Sequence, residues 1–282
     1  MSTNKREDYF GPFQIIRQLG STRGVERFVV LCNKTDTNRL LYRFPAQPHH
    51  QQRRALFDQM VSLSMLEHPH LLRIESASYD DRGRLCTISP YPGNHEGLVT
   101  LDDLLDQHGG RFTIHEAARA VEHLLSASAY AHAEGIVHGT ISREHILVDR
   151  FGSIQIELYA HEQSGCAASS TVRQSQITDE IRSIVELGYR LMTGLEVNAE
   201  RISPTRMTKR LDRNWDTWFD IGLDPIDGFE DATHALRALP TNPDCIEWLS
   251  ASKSKRPQVQ FGSMIRRFRV SGQATNRQGR SL

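Results

Sequence analysis

Four side chains able to do chemistry, His138, Thr140, Ser142 and His145, lie in one stretch from Ile136 to Asp149. They are set in an apolar frame of Ile136, Val137, Ile141, Ile146, Leu147 and Val148. Imidazoles held this way can move protons or ligate a metal, and hydroxyls can donate and accept hydrogen bonds. The chain has 13 histidines, and His49-His50 and His68-Pro69-His70 raise the metal question again. No carboxylate or cysteine stands at ligand spacing beside those pairs, so structural roles are the better reading. Arg43, at the end of the apolar run from Leu40, and Gln59, inside a helical pattern, are the other polar groups whose positions invite a role.

The elements that must position these groups change character along the chain. Apolar alternation predicts strands over residues 13–20, 27–31, 40–44, 72–79 and 84–89, separated by polar turns. One helix interrupts them over 51–66, with Leu56, Met60, Leu63 and Leu66 on one face and Pro69 beyond its end. After Pro90 helices dominate. Thr100 is placed to cap a short helix over 101–107, and Thr113 with Glu116 forms a capping box for a longer one reaching about Glu134, which Gly135 ends. A hairpin continues through Ala160. A helix containing Glu180, Ile181, Ile184, Leu187, Leu191 and Met192 follows and stops at Thr193-Gly194. Residues 164–175, rich in Ser and Thr, read as a flexible loop. Helices over 215–223 and 229–239 close the pattern, with Trp215, Trp218, Phe219 and Leu223 as core.

Order and spacing together resemble the protein-kinase-like superfamily, in particular a bacterial Ser/Thr-kinase-like domain, over about residues 9–240. The resemblance implies an α+β bilobal fold: a β-rich small lobe with one helix and a large, mainly helical lobe. It also implies that the chemistry is gone. The family's catalytic loop reads His-Arg-Asp-Leu-x-x-x-x-Asn, its Asp taking the substrate proton and its Asn holding magnesium. Here His138 is retained, Gly139 replaces the Arg, Thr140 the Asp, Ser142 the phosphate-contacting Lys and His145 the Asn. Leu158-Tyr159-Ala160 stands where Asp-Phe-Gly supplies the second metal ligand, and leucine cannot ligate magnesium. The phosphate-pairing Lys becomes Arg43 and its Glu partner becomes Gln59. The glycine-rich loop positions become Ser21, Arg23 and Glu26, or in a shifted register Gly20, Thr22 and Val25, and an ordinary hairpin turn is the favoured reading. Ser89 corresponds to the gatekeeper. Pro92, which lacks an N–H, replaces a usual adenine donor. No Ala-Pro-Glu motif is visible, and Gly228 replaces the Arg that would pair with it.

Composition narrows the remaining classes. Among 282 residues, 34 Lys and Arg balance 34 Asp and Glu, so the whole molecule offers no nucleic-acid or membrane surface. The first ten residues contain no apolar leader, and no segment reaches the roughly 18 apolar residues of a spanning helix. Cys32, Cys86, Cys166 and Cys245 form no CxxC pair, which fits a reducing, cytoplasmic setting and no metal site. The expected organisation is an N-terminal tail (1–8), a small lobe (9–92), a large lobe (93–248) and a basic, flexible tail (249–282). That tail reads first as a solvated, mobile segment, and Lys253, Lys255, Arg256, Arg266, Arg267 and Arg269 also make it a candidate tether to an acidic partner, nucleic acid or an anionic lipid surface. The expected function is that of an inactive pseudokinase serving as a protein-interaction or scaffold module, with no cofactor. The alternatives are an atypical nucleotide-dependent transferase recruiting Arg43, His138 and His145, and a non-catalytic nucleotide sensor.

Overall fold

The computed structural model describes residues 9–22, 24–93, 97–161, 170–198, 201–208 and 211–254. Its first part is an antiparallel sheet of β1 (Tyr9–Phe10), β2 (Phe13–Thr22), β3 (Val25–Cys32), β4 (Thr37–Arg43), β5 (Ser76–Tyr79) and β6 (Leu85–Pro90), ordered β1-β2-β3-β4-β6-β5. One strand more than the sequence led us to expect is present, because Tyr9 and Phe10 pair with Gln14 and Phe13. The β2–β3 ladder closes on Thr22 opposite Val25, and Gly24 before Val25 adopts φ +77°.

Strand alternation gives the sheet two apolar faces. Val25, Leu40, Tyr42, Phe44 and Leu85 join the main core, where Met60 and Leu63 of α1 (His50–Leu63) pack. Phe28, Val30, Leu41, Cys86 and Ile88 form a separate cluster on the other face, covered in part by Phe10, Phe13 and Ile15. Successive strand residues point to opposite faces, so adjacent Tyr42 and Arg43 are separated by the thickness of the sheet.

The second part is mainly helical: α2 (Leu101–Gln107), α3 (Ile114–Ala133), α4 (Ser170–Thr193), α5 (Pro204–Met207), α6 (Asn214–Gly222), α7 (Ala232–Arg237) and α8 (Cys245–Ser254). A small sheet of β7 (Val99–Thr100), β8 (Ile146–Val148) and β9 (Ile154–Ile156) lies on it. Both expected caps form: Thr100 with Asp103 begins α2, and Thr113 with Glu116 begins α3. Long α3 and α4 cross closely at Gly188, where an added Cβ would lie 2.7 Å from Val121 Cγ2. Trp218 and Phe219 are fully buried, and the Trp218 indole donates to the Ala235 carbonyl at 3.0 Å.

Three expectations change. Residues 170–175, expected in a loop, are the first turns of α4, while 162–169 lie outside the described residues. The helix expected over 229–239 is shorter, because the Asp231 side chain caps the His234 N–H at 2.7 Å and leaves Phe229 outside it. The division drawn at 248 falls inside α8, whose Leu249 is buried. Residues 255–282, with most of the basic tail, are outside the described residues. No helix among the described residues is long and apolar enough to cross a membrane.

Candidate functional site: the cleft between the lobes

The loop from Ile136 to Asp149 is held from beneath by one carboxylate. Glu180, on α4 and fully buried, accepts the N–H groups of His138 and Gly139 on Oε2 at 2.6 and 3.1 Å. Its Oε1 accepts the Ser128 and Tyr159 hydroxyls, each at 2.6 Å. His132 Nε2 lies 3.3 Å from Oε2. Burial pushes the Glu180 pKa up, but the His132 imidazole and the two hydroxyls outweigh it, so the carboxyl sits below its ordinary value and stays ionised. The next turn of α4 adds a strut, with Ser183 Oγ accepting the Ile141 N–H at 2.9 Å. Sequence reading placed Glu180 only as a member of its helix. A charge inside an otherwise apolar helical face was the available signal.

The loop therefore keeps its shape, and its side chains lie as follows. Gly139 adopts φ +83°, a conformation that a side chain would strain. Thr140 is exposed, Ser142 leads into a 3₁₀ turn (Arg143–His145), and His145 is 8% exposed. The His145 carbonyl accepts the Glu157 N–H at 2.9 Å, which ties the loop to the end of β9. Leu158 is buried with φ +46°, uncommon for a branched residue, and Ala160 follows with φ +56°. Gln59 projects from α1 to that same segment, donating to the carbonyls of Ala160 at 2.9 Å and His161 at 3.3 Å.

Above Leu158 a side-chain network spans the cleft. Glu157, 2% exposed, accepts Arg27 Nη1 at 3.0 Å on Oε1 and the Tyr42 hydroxyl at 2.8 Å on Oε2. Arg27 is braced in turn by the Gly20 carbonyl, 3.0 Å from Nε. Burial and the neighbouring Glu157 charge raise the Tyr42 pKa well above its ordinary value, so the phenol stays protonated and donates. The two strands and the hairpin end are thus fastened across the cleft by a carboxylate whose two oxygens are both engaged.

Arg43, which the sequence placed in the cleft, lies on the opposite face of the sheet. Its guanidinium stacks 4.5 Å above the Phe28 ring, between Glu26 at 3.8 Å and Asp80 at 3.7 Å. The cleft-facing member of that strand end is Tyr42. Thr140, Ser142, His145, Gln59 and Leu158 gather around the loop and the end of β9, and Arg43 does not join them. Sequence reading missed Arg27 and Tyr42. The alternation Leu40, Tyr42, Phe44 against Leu41, Arg43 held the answer, but both faces are apolar, so it could not say which face looks inward. At the far edge of the cleft Ser89 is buried and pairs with Leu40. Residues 94–96, after Pro92, lie outside the described residues. Among the described residues no three His, Cys, Asp or Glu side chains converge in a way that could hold a metal ion.

A curled antiparallel sheet with one helix, set on a mainly helical lobe, is the fold of protein kinase domains. Solved structures of the PknI kinase domain from Mycobacterium tuberculosis share it. A doubly substituted form superimposes with a TM-score of 0.63 at 16% identity, covering 88% of this chain and all of that one. A singly substituted form gives 0.60 at 17% identity, covering 90% of this chain and 99% of that one. Among curated proteins, CBL-interacting protein kinase 25 of rice is 29% identical over 100 residues, 35% of this chain. CBL-interacting protein kinase 1 of rice is 28% identical over 97 residues. The matched segment spans 19% of the length of each of these rice proteins. No protein-family profile matches the chain.

Proposed function

We propose that the chain is a catalytically inactive pseudokinase that acts by binding another protein. The observation that carries this reading is the Arg27–Glu157–Tyr42 network. Phosphoryl transfer is mainly positioning plus stabilisation of charge by magnesium and cationic groups. Glu157 lies one residue from the position of the family's metal-binding Asp, and ligating a cation there means breaking its hydrogen bonds with Arg27 and Tyr42 in a buried site. Leu158 offers no ligand atom, and a threonine hydroxyl at position 140 cannot act as a base near neutral pH. Arg43 is held away from any phosphate in the cleft by its place on the other face of the sheet.

The partner is another protein, met through folded surfaces or through the basic tail containing Lys253, Lys255, Arg256, Arg266, Arg267 and Arg269. A tether of that composition suits an acidic surface. The test is titration of the purified chain with ATP, with and without magnesium or manganese, followed by calorimetry and by melting temperature. No heat of binding and no stabilisation are expected. Tight, metal-dependent ATP binding overturns the reading in favour of an atypical transferase. Metal-independent nucleotide binding without turnover overturns it in favour of a nucleotide sensor.

A further inference from the structure

The outer face of the small-lobe sheet, away from the cleft, carries a groove of about 1050 Å³ that runs from Tyr9 past Phe28 and Arg43 to Tyr79 and Asp80. Its floor is the second apolar cluster, with Phe28 flanked by Phe10, Phe13 and Ile15. Arg43 lies over that floor with its side chain only 14% exposed, and its Nε makes no hydrogen bond. The nearest carboxylates do not satisfy it. Asp80 is committed to Arg84, whose Nε lies at 2.8 Å, and to the N–H groups of Arg82 and Arg84 at 3.0 and 2.8 Å. Glu26, 39% exposed, lies 3.8 Å from Arg43 and 3.6 Å from Arg84, close enough for charge attraction and too far for hydrogen bonding. A nearly buried guanidinium with an unused donor, set in an aromatic floor, is built to receive an oxygen anion that arrives with an apolar neighbour.

We propose that this groove docks an extended peptide segment of a partner protein, placing one carboxylate on Arg43 and an adjacent apolar side chain on the Phe10–Phe13–Phe28 floor. The proposal rests on the reading of the chain as an interaction module and names where the partner sits. The incoming carboxylate takes the place that Glu26 holds loosely, and the exposed Glu26 side chain swings into solvent. Arg43, Arg82 and Arg84 are balanced along the lining by Glu26, Asp80 and Asp81, so the groove selects one acidic residue in an apolar context and rejects a dense acidic run.

A random dodecapeptide library displayed on phage, selected on the full chain, provides the probe. Fluorescence anisotropy then measures the affinity of the enriched peptide. The expected enrichment is of sequences with a single Asp or Glu beside an aromatic or aliphatic residue. Arg43→Met keeps the packing over Phe28, removes the charge, and is expected to weaken binding about tenfold, the loss of one charge-assisted contact. Glu26→Gln removes the competing carboxylate and is expected to tighten binding. Failure to enrich any sequence, enrichment of basic or purely apolar ones, or unchanged affinity in Arg43→Met overturns the proposal. If circular dichroism finds Arg43→Met unfolded, Glu26→Gln decides, and an affinity equal to or weaker than that of the unaltered chain overturns it. The ATP titration reads the opposite face of the sheet. Nucleotide binding there therefore overturns the inactive reading while leaving the groove result standing, and an empty selection without nucleotide binding overturns the groove alone.

Discussion

Two buried carboxylates with different partners set the character of the molecule at the scale of single residues. Glu180 is satisfied by two backbone N–H groups and two hydroxyls and shapes a loop. Glu157 is satisfied by a guanidinium and a phenol and joins the lobes. An ionised carboxylate left unpaired in such surroundings is costly, so each network behaves as a unit. Tyr42→Phe, which removes the phenol's hydrogen bond to buried Glu157 and leaves the packing in place, is expected to destabilise the chain by about 1–3 kcal/mol in urea unfolding. A loss below a few tenths of a kcal/mol would mean that the contact does not persist in solution. Histidines give a second prediction. His70 stacks on His123 with ring centroids 3.7 Å apart, and His68 stacks on Tyr130. Burial, helped by the neighbouring His70 and Arg119, lowers the His123 pKa from 6.5 to about 4, and burial also lowers that of His68. Both imidazoles are therefore neutral in the folded state over a range in which the unfolded chain takes up protons. Stability is expected to be full above pH 6.5, to fall as pH drops from 6.5 toward 4, and to fall less steeply over that window in His123→Leu. A melting temperature independent of pH there would refute the assignment.

The decisive element is α4. Its helical period places Glu180 and Ser183 beneath the loop, and one turn further Gly188 permits the close crossing with α3. Gly188→Ala adds a methyl group 2.7 Å from Val121 Cγ2 in a dense core. The expected cost is about 1–3 kcal/mol, more than offsetting the better helix propensity of alanine. Stabilisation by that substitution would mean that the two helices part easily. Much of this element level was legible in the sequence. The caps at Thr100 and Thr113 fall where predicted, because a capping box is a local arrangement fixed by four consecutive residues. The first turns of α4 were not legible, since Ser170, Thr171, Val172 and Ser175 carry weak propensities that only attachment to the rest of a long helix decides.

On the scale of the whole molecule the chain is a fastened pair of lobes with a basic segment beyond α8. That helix belongs to the folded body. Leu249 and Cys245 are buried, and Trp248 lies under Arg237, 5.0 Å from its guanidinium carbon, and beside His234. Removing residues 255–282 is expected to leave the melting temperature within about 2 °C of the intact chain, because the core formed by the described residues, Leu249 included, is kept. Ending the chain at 248 removes Leu249 and half of α8 and is expected to lower it by several degrees. If the tail tethers an acidic partner, the shorter deletion also weakens partner binding, most at low salt, where electrostatic attraction is least screened. Affinity unchanged by it assigns binding to the folded surfaces.

What the sequence determined by itself was the order of elements, the two-lobed α+β class and the residue types at Thr140, His145 and Leu158. These follow from local periodicity, caps and residue identity, which need no knowledge of distant neighbours. Tertiary structure alone decided which face of the sheet looks into the cleft, and so that Tyr42 and Arg27 meet Glu157 while Arg43 faces outward. Those partners are separated by 115 and 130 residues. A strand with two apolar faces reads alike in either orientation, so only the packing of the lobes against each other could assign them.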